Sequence, residues 1–306
     1  MKPKTWQLLI GIIIGVFLLS IYPLSVRDAS AERKASITFN NGYRVDDLDW
    51  NIAGNNTNIL SELTWSDLKI YQVKADGKVV LEWFYLRGSI GYGWIFDGEN
   101  QDSDYLGDNR TLEFSRSNNS SDNGNVMDAS VGVGYQFNPG SGRLKVAPLV
   151  GYSLHEQNLT ITGGFQTIPA TGSFSGLNST YDTKWKGPWA GVDLSIEASR
   201  NLTLFGSFEY HWADYEAEAN WNLRTDFAHP KSFEQIADGK GILVSAGGIY
   251  AIDDHWLINA NVGFQDWSTD AGTDLTFFAD GTTSSTRLNE VNWSSFEAML
   301  GIMYRF

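Results

Sequence analysis

The chain ends in a run that alternates with a period of two: Ser294-Ser295-Phe296-Glu297-Ala298-Met299-Leu300-Gly301-Ile302-Met303-Tyr304-Arg305-Phe306. One face carries Phe296, Ala298, Leu300, Ile302, Tyr304 and Phe306, and the other carries Ser295, Glu297, Met299, Gly301, Met303 and Arg305. Side chains of a strand point to opposite faces in turn. A strand that is apolar on one side and mixed on the other suits a wall between lipid and a wet interior. That pattern constrains the fold more tightly than any other stretch.

The N-terminus agrees with an export route. Lys2 and Lys4 precede a mostly apolar stretch over residues 8–24, and Ala29-Ser30-Ala31 offers small residues where a signal peptidase cuts. The spacing predicts a signal peptide over residues 1–31 and a mature domain over 32–306. A single membrane anchor is the competing reading, because the apolar stretch is long, but Pro23 interrupts its end. After Glu32 no apolar run is long enough for a membrane helix. The aromatic C-terminal residue is similar to the ending of bacterial outer-membrane barrels.

Mean hydropathy is only -0.24, as expected when half of each strand faces a polar interior. The 12 Trp and 13 Tyr would supply girdles at both membrane interfaces. The formal charge is -14, and losing Lys2, Lys4, Arg27 and Asp28 with the leader makes the remainder more acidic. Such a surface argues against nucleic acid as a partner and favours cationic ligands. The absence of Cys excludes disulfides, thiolate metal sites and cysteine catalysis.

Turn signals divide the mature chain into ten alternating segments, near 36–49, 59–74, 79–96, 126–137, 144–162, 182–198, 202–222, 240–251, 256–272 and 290–306. Short connections are expected at Ala75-Asp76-Gly77-Lys78, at 138–143, at Ser199-Arg200-Asn201 and at Asp253-Asp254-His255. Longer ones, rich in Asn, Asp, Ser, Thr and Gly, are expected at 50–58, 97–125, 163–181, 223–239 and 273–289. Strict alternation of long and short predicts an all-β fold, a ten-stranded antiparallel transmembrane β-barrel with both termini in the periplasm. A soluble β-sandwich has no reason to sort its loops this way. Alternation places Arg87, Lys145, His155, Asp193, Glu197, Glu209, His211 and Glu297 in the lumen. Ten strands enclose little more than side chains, which disfavours a general diffusion pore. Segments longer than the roughly 9–11 residues needed to cross should lift the barrel above the lipid and form an outward cleft.

Two of the long connections carry candidate chemistry. Asp102 and Asp104, in the stretch Asp102-Ser103-Asp104-Tyr105, would point the same way about 7 Å apart and could hold a water between one ionised and one protonated carboxyl. The fourth contains Asp226-Phe227-Ala228-His229-Pro230, where a carboxylate near an imidazole could set its protonation. Solvated loop residues are the plain alternative for all four. Asp97, Glu99, Asp102, Asp104 and Asp108 could instead gather an oxygen-seeking ion such as Ca²⁺, although the spacing is not that of an EF-hand. His211 is a substitute for His229 should the latter point away, although a lumen charge pair with Glu209 also accounts for it. His155 is of the same kind, and His255 belongs to a periplasmic turn.

The Asp102-Ser103-Asp104-Tyr105 run resembles the Asp-x-Asp-aromatic run of the omptins, ten-stranded outer-membrane endopeptidases. Length, strand count and the Leu63-Thr64-Trp65 region fit as well. The resemblance implies a protease in which Asp102 and Asp104 face Asp226 and His229. It further implies lipopolysaccharide as activator with no other cofactor, outer-membrane lipid as surroundings, and peptides or proteins with basic residues as substrates. The sequence departs from that pattern by spacing the second pair as Asp-x-x-His, which in a regular strand sends the two side chains to opposite faces unless a bulge intervenes. Nothing between Asp108 and Val126 matches the omptin Trp-Thr-Asp and His-Pro elements. The chain also resembles omptin-related chlamydia-type outer-membrane proteins, for which pore formation is the expectation. Two functional readings therefore stand: an endopeptidase, or a non-catalytic barrel acting as porin, adhesin or binding protein. Lipid hydrolysis would need a Ser–His pair aimed at the outer leaflet, and the sequence suggests none.

Overall fold

The computed structural model describes residues 33–306 apart from Ser141. The expected signal peptide, residues 1–31, lies outside the described residues. The strands are β1 (Arg33–Gly54), β2 (Thr57–Leu81), β3 (Phe84–Gly107), β4 (Thr111–Tyr135), β5 (Leu144–Ile168), β6 (Gly172–Ser173), β7 (Ser179–Glu197), β8 (Leu202–Asn220), β9 (Phe233–Ala251), β10 (Trp256–Thr269), β11 (Gly272–Phe277) and β12 (Thr283–Arg305). Neighbours pair antiparallel in the order β1-β2-β3-β4-β5-β7-β8-β9-β10-β12, and β12 returns to β1 through pairs from Ser36↔Arg305 to Ala53↔Arg287. Ten strands thus close a barrel with no free edge in the membrane. β11 continues the line of β10 after a break at Asp270-Ala271 and bridges β9 to β12. β6 is a two-residue addition to β5.

The terminal strand behaves as its alternation predicts. Phe296, Leu300, Ile302 and Phe306 are exposed outward, whereas Ser295 and Met299 are buried inside. The outer wall carries Val133, Val150, Leu194, Leu204, Val244 and Val262 between two aromatic bands. The upper band includes Tyr92–Trp94 and Tyr210–Trp212, each with ring centroids 4.9 Å apart. The lower includes Trp83–Tyr135 at 5.7 Å and Trp256–Tyr304 at 5.0 Å. From Leu202 to Trp212 the chain rises about 34 Å along the strand, which at the ~40° tilt of such barrels projects to about 26 Å, the height of a lipid-facing band.

All eight residues expected in the lumen line its lower cavity. Two expectations about connections need correction. The turn placed at Ala75-Asp76-Gly77-Lys78 lies within β2, paired with β1 and β3, and the chain reverses at Glu82-Trp83 instead. The long loops at 50–58, 97–125 and 273–289 are mostly strand: β1–β2 turns at Asn55-Asn56, β3–β4 at Asp108-Asn109-Arg110 and β11–β12 over 278–282. Above the lipid the outer face of a strand no longer meets hydrocarbon, so polar residues satisfy a ladder there without apolar alternation. The left-handed backbone needed for the first two of these turns falls on Asn55, Asn56, Asn109 and Arg110.

Inside, the lumen is layered. Trp65, Trp185, Trp267 and Trp293 are all at most 1% exposed and form an aromatic layer with Trp50, Tyr181, Tyr215 and Phe233. Trp267 stacks on Trp293 with centroids 5.5 Å apart, and Trp65 on Tyr181 at 5.0 Å. The close approach of Trp267 to β9 requires a glycine, since a Cβ on Gly241 would lie 2.3 Å from the indole. Beneath this layer Arg44 donates two 2.6 Å bonds to Asp46 and one of 2.6 Å to Asp128. Asp46 also accepts from Gln157 at 3.0 Å and from the Trp293 indole at 3.1 Å. Such charge-assisted bonds are what permit ions at a site with 0–1% exposure.

Candidate functional site

Asp102 and Asp104 lie on the extension of β3 above the upper aromatic band. Their cross-strand neighbours are Leu63 and Ser61 on β2, and Ser117 and Ser115 on β4. Leu63 and Trp65 are buried on the inner face, so the period of two points both carboxylates into the mouth beside them. Burial, followed by the charge of Asp104, pushes the Asp102 carboxyl up to about 7; the Trp221 indole and the Arg224 guanidinium oppose the rise. Burial likewise raises Asp104, against Ser61, Arg224 and Ser115. Two carboxyl groups this close and this buried resist ionising together.

The facing wall is the β8–β9 connection. Trp221 begins it, held by a 2.9 Å bond from its amide to Ser232 Oγ and by packing on Phe233 at 4.8 Å. A turn closed by Arg224 N to Trp221 O at 3.0 Å then brings Arg224 over the Phe227 ring, 4.1 Å from its centroid. Arg224 donates to both carboxylate oxygens of Asp226, at 3.0 and 2.8 Å, and that bond holds the Asp226 carboxyl below its usual range. The Arg224 guanidinium is raised mainly by Asp226, with Asp104 and Asp102 adding to the effect.

His229 turns elsewhere. Its Nδ1 lies 2.7 Å from Asn220 Oδ1 and its Nε2 lies 3.2 Å from the Arg224 carbonyl. Both partners are oxygens that accept, so each nitrogen faces an acceptor within the connection and neither faces Asp226. Among the described residues no hydrogen bond joins His229 to Asp226. The structure therefore brings Asp102 and Asp104 together, sets Arg224 near them, and leaves Asp226 and His229 as separate groups. Arg224 and Trp221 were missed by sequence reasoning; the only signal was a basic residue two positions before Asp226 in an otherwise acidic loop.

The other histidines sit apart. His211 is 1% exposed, 4.9 Å from Trp267 by ring centroids, and below the aromatic layer, so it cannot reach the mouth as a substitute for His229. Its Nε2 meets Glu209 at 3.0 Å, the lumen pair that alternation suggested, and its Nδ1 meets Ser153 Oγ at 2.9 Å. This is a Ser–His pair that sequence reasoning did not find, but Ser153 is 1% exposed and faces the lumen, not the outer leaflet. His155 is held by Asp128 at 2.7 Å, and His255 Nδ1 by the Arg305 carbonyl at 2.9 Å in the turn between β9 and β10. The carboxylates considered for Ca²⁺ disperse: Asp97 pairs with Lys69 at 2.6 Å and Asp108 caps the Asn58 amide at 2.8 Å. Among the described residues no group of three or more His, Asp or Glu could hold a metal ion.

A solved structure repeats this architecture. The outer membrane protease OmpT from Escherichia coli is 12% identical, with 92% of this chain and 99% of that one covered at a TM-score of 0.72, a likeness of fold. The outer membrane protein OprG from Pseudomonas aeruginosa is 11% identical over 91% of this chain and 99% of its own, with a TM-score of 0.34. No curated protein matches. A barrel of this construction belongs in the bacterial outer membrane. Across residues 38–306 the sequence matches the Protochlamydia outer membrane protein family, and the chain belongs to that family.

Proposed function

We propose that the chain is a non-catalytic outer-membrane barrel that handles small polar solutes rather than cleaving peptides. The observation that carries this reading is the arrangement around Arg224: the acid pair Asp102/Asp104 faces a guanidinium, which also holds Asp226. A guanidinium stays protonated and cannot accept a proton from water. His229, the group that could, is turned to Asn220 Oδ1 and the Arg224 carbonyl and makes no hydrogen bond to Asp226 among the described residues. The lumen below the aromatic layer offers a solute a cavity of about 640 Å³ lined by charges of both signs.

One specific observation favours a second reading. A carboxyl raised to about 7 beside a second carboxyl is an acid–base couple able to activate water, as in other paired aspartates. With Arg224 fixing charge, Asp102 and Asp104 would then cleave peptides bearing basic residues, with lipopolysaccharide as the activating lipid.

Incubation of the refolded mature barrel with a mixed peptide library, with lipopolysaccharide present, separates the two. An Asp102→Asn/Asp104→Asn variant runs in parallel. The expected result is no cleavage that depends on the two aspartates. Cleavage by the wild type that disappears in the variant would overturn the non-catalytic reading and establish the second. Ion conductance in planar bilayers then tells passage through the barrel from binding at its ends.

A further inference from the structure

The lower cavity is built to stay open. Gly88, Ser89, Ser130, Gly206, Ser207 and Ser245 line it, and small side chains on four strands leave the middle unfilled. Its carboxylates have partners: Glu297 meets Lys74 at 3.4 Å, Glu197 meets Lys145 at 2.8 Å, and Glu209 meets Arg87 at 2.6 Å. Asp128 meets Arg44 at 2.6 Å, and Asp76 accepts from Asn40 at 2.7 Å.

Lys78 is different. Among the described residues it forms no ion pair, and its ammonium rests over the Tyr85 ring, 4.7 Å from the centroid. The hydroxyl at the other end of that ring donates to Asp193 Oδ2 at 2.6 Å. Arg87 Nε lies 3.0 Å from the same oxygen, while Asp193 Oδ1 is buried without a partner. A single tyrosine therefore spaces a cation from a half-used carboxylate. Lys78 and Asp193 are too far apart to pair directly, and both line the cavity.

We propose that this pair is a binding site for a small zwitterion, a free α-amino acid, whose carboxylate sits on the Lys78 ammonium and whose ammonium donates to Asp193 Oδ1. Neither half of such a ligand would satisfy both ends. A carboxylate alone leaves Asp193 Oδ1 bare, and an amine alone leaves Lys78 unmatched. The cavity is large enough for an amino acid with a modest side chain and its water. This inference rests on the solute-handling reading and names its solute class.

Saturation-transfer NMR on the refolded full barrel, with L-alanine, acetate and isopropylamine as probes, tests it. L-alanine should bind, with acetate and isopropylamine each weaker by roughly tenfold or more, the usual worth of a charge-assisted hydrogen bond. Lys78→Gln should lower alanine affinity by a similar factor, while Lys78→Arg should retain it. Because Lys78 takes part in no ion pair, neither variant should alter heat-modifiable migration on gels, which reports the folded barrel. Alanine binding unchanged in Lys78→Gln, acetate binding as well as alanine, or no binding by the wild type would each overturn the proposal. A barrel that ignores alanine yet shows no aspartate-dependent cleavage would remove this site and leave the non-catalytic reading in place.

Discussion

Replacing Asp102 by Asn should stabilise the barrel, and only above a certain pH. In the folded state burial and Asp104 raise the Asp102 carboxyl from 3.8 to about 7. Unfolded, it returns to its ordinary value, so between about pH 4 and pH 7 the native state holds a proton that the unfolded chain has released. Native stability contributed by this group therefore falls as pH climbs through that window and is flat above it. Each tenfold in acidity is worth about 1.4 kcal/mol, which puts the ceiling of the loss at roughly 4 kcal/mol. Part of it returns as water reaches the mouth, so a net effect of about 1 kcal/mol or more is the expectation. Asn keeps the shape and can still accept from Trp221 without carrying charge. Urea unfolding of both proteins in detergent micelles, followed by tryptophan fluorescence at pH 4 and pH 8, gives the comparison. Asp102→Asn should match wild type at pH 4 and exceed it at pH 8. An equal difference at both pH values, or a less stable variant at pH 8, would show that Asp102 is not a buried acid and that the mouth is open to solvent.

Arg44→Met removes the cation shared by Asp46 and Asp128 and should cost about 3–5 kcal/mol, since a buried carboxylate is left uncompensated. Adding Asp46→Asn and Asp128→Asn should recover most of that in the same urea assay; a single variant as stable as wild type would refute the ion layer. Trp185→Ala takes a fully buried indole out of the aromatic layer, with an expected loss of about 3–5 kcal/mol. It should also raise ion conductance in planar bilayers above that of the wild type, and unchanged conductance would mean the lumen is closed elsewhere.

Much of this architecture was readable because strands write their two faces in alternate letters. The final strand, the eight lumen residues and the inward pairing of Asp102 with Asp104 all follow from a period of two. The sequence misled where that rule weakens. Asp76-Gly77 has turn chemistry but sits in a ladder, because its neighbours on β1 and β3 pair with it, while the actual reversal at Glu82-Trp83 carries neither Gly nor Pro. Residues 97–125 read as loop because their strands carry polar residues on both faces, Asn100, Ser103, Ser117 and Asn119 among the buried ones, and so display no apolar repeat. The grip of Arg224 on Asp226 depends on how a connection folds over the mouth, and the docking of His229 on Asn220 depends on the same fold. No spacing announces either.

The break at Asp270-Ala271 gives this cylinder a direction of give. Over most of the ring backbone ladders run strand to strand, and a hoop of that kind resists widening, although register also slips between β2 and β3 and between β4 and β5. Between Ser268↔Asn292 and Gly272↔Leu288 the ladder lapses, and a single side-chain bond from the Val291 amide to Thr269 Oγ1, at 2.9 Å, stands in for it. The neighbouring strand slips register beside it, between Asn51 and Ile52. Two irregularities side by side, just above the Trp267–Trp293 stack, make a compliant seam next to the aromatic layer. Breathing that loosens the stack would start at this seam, the ladder break that adjoins both indoles.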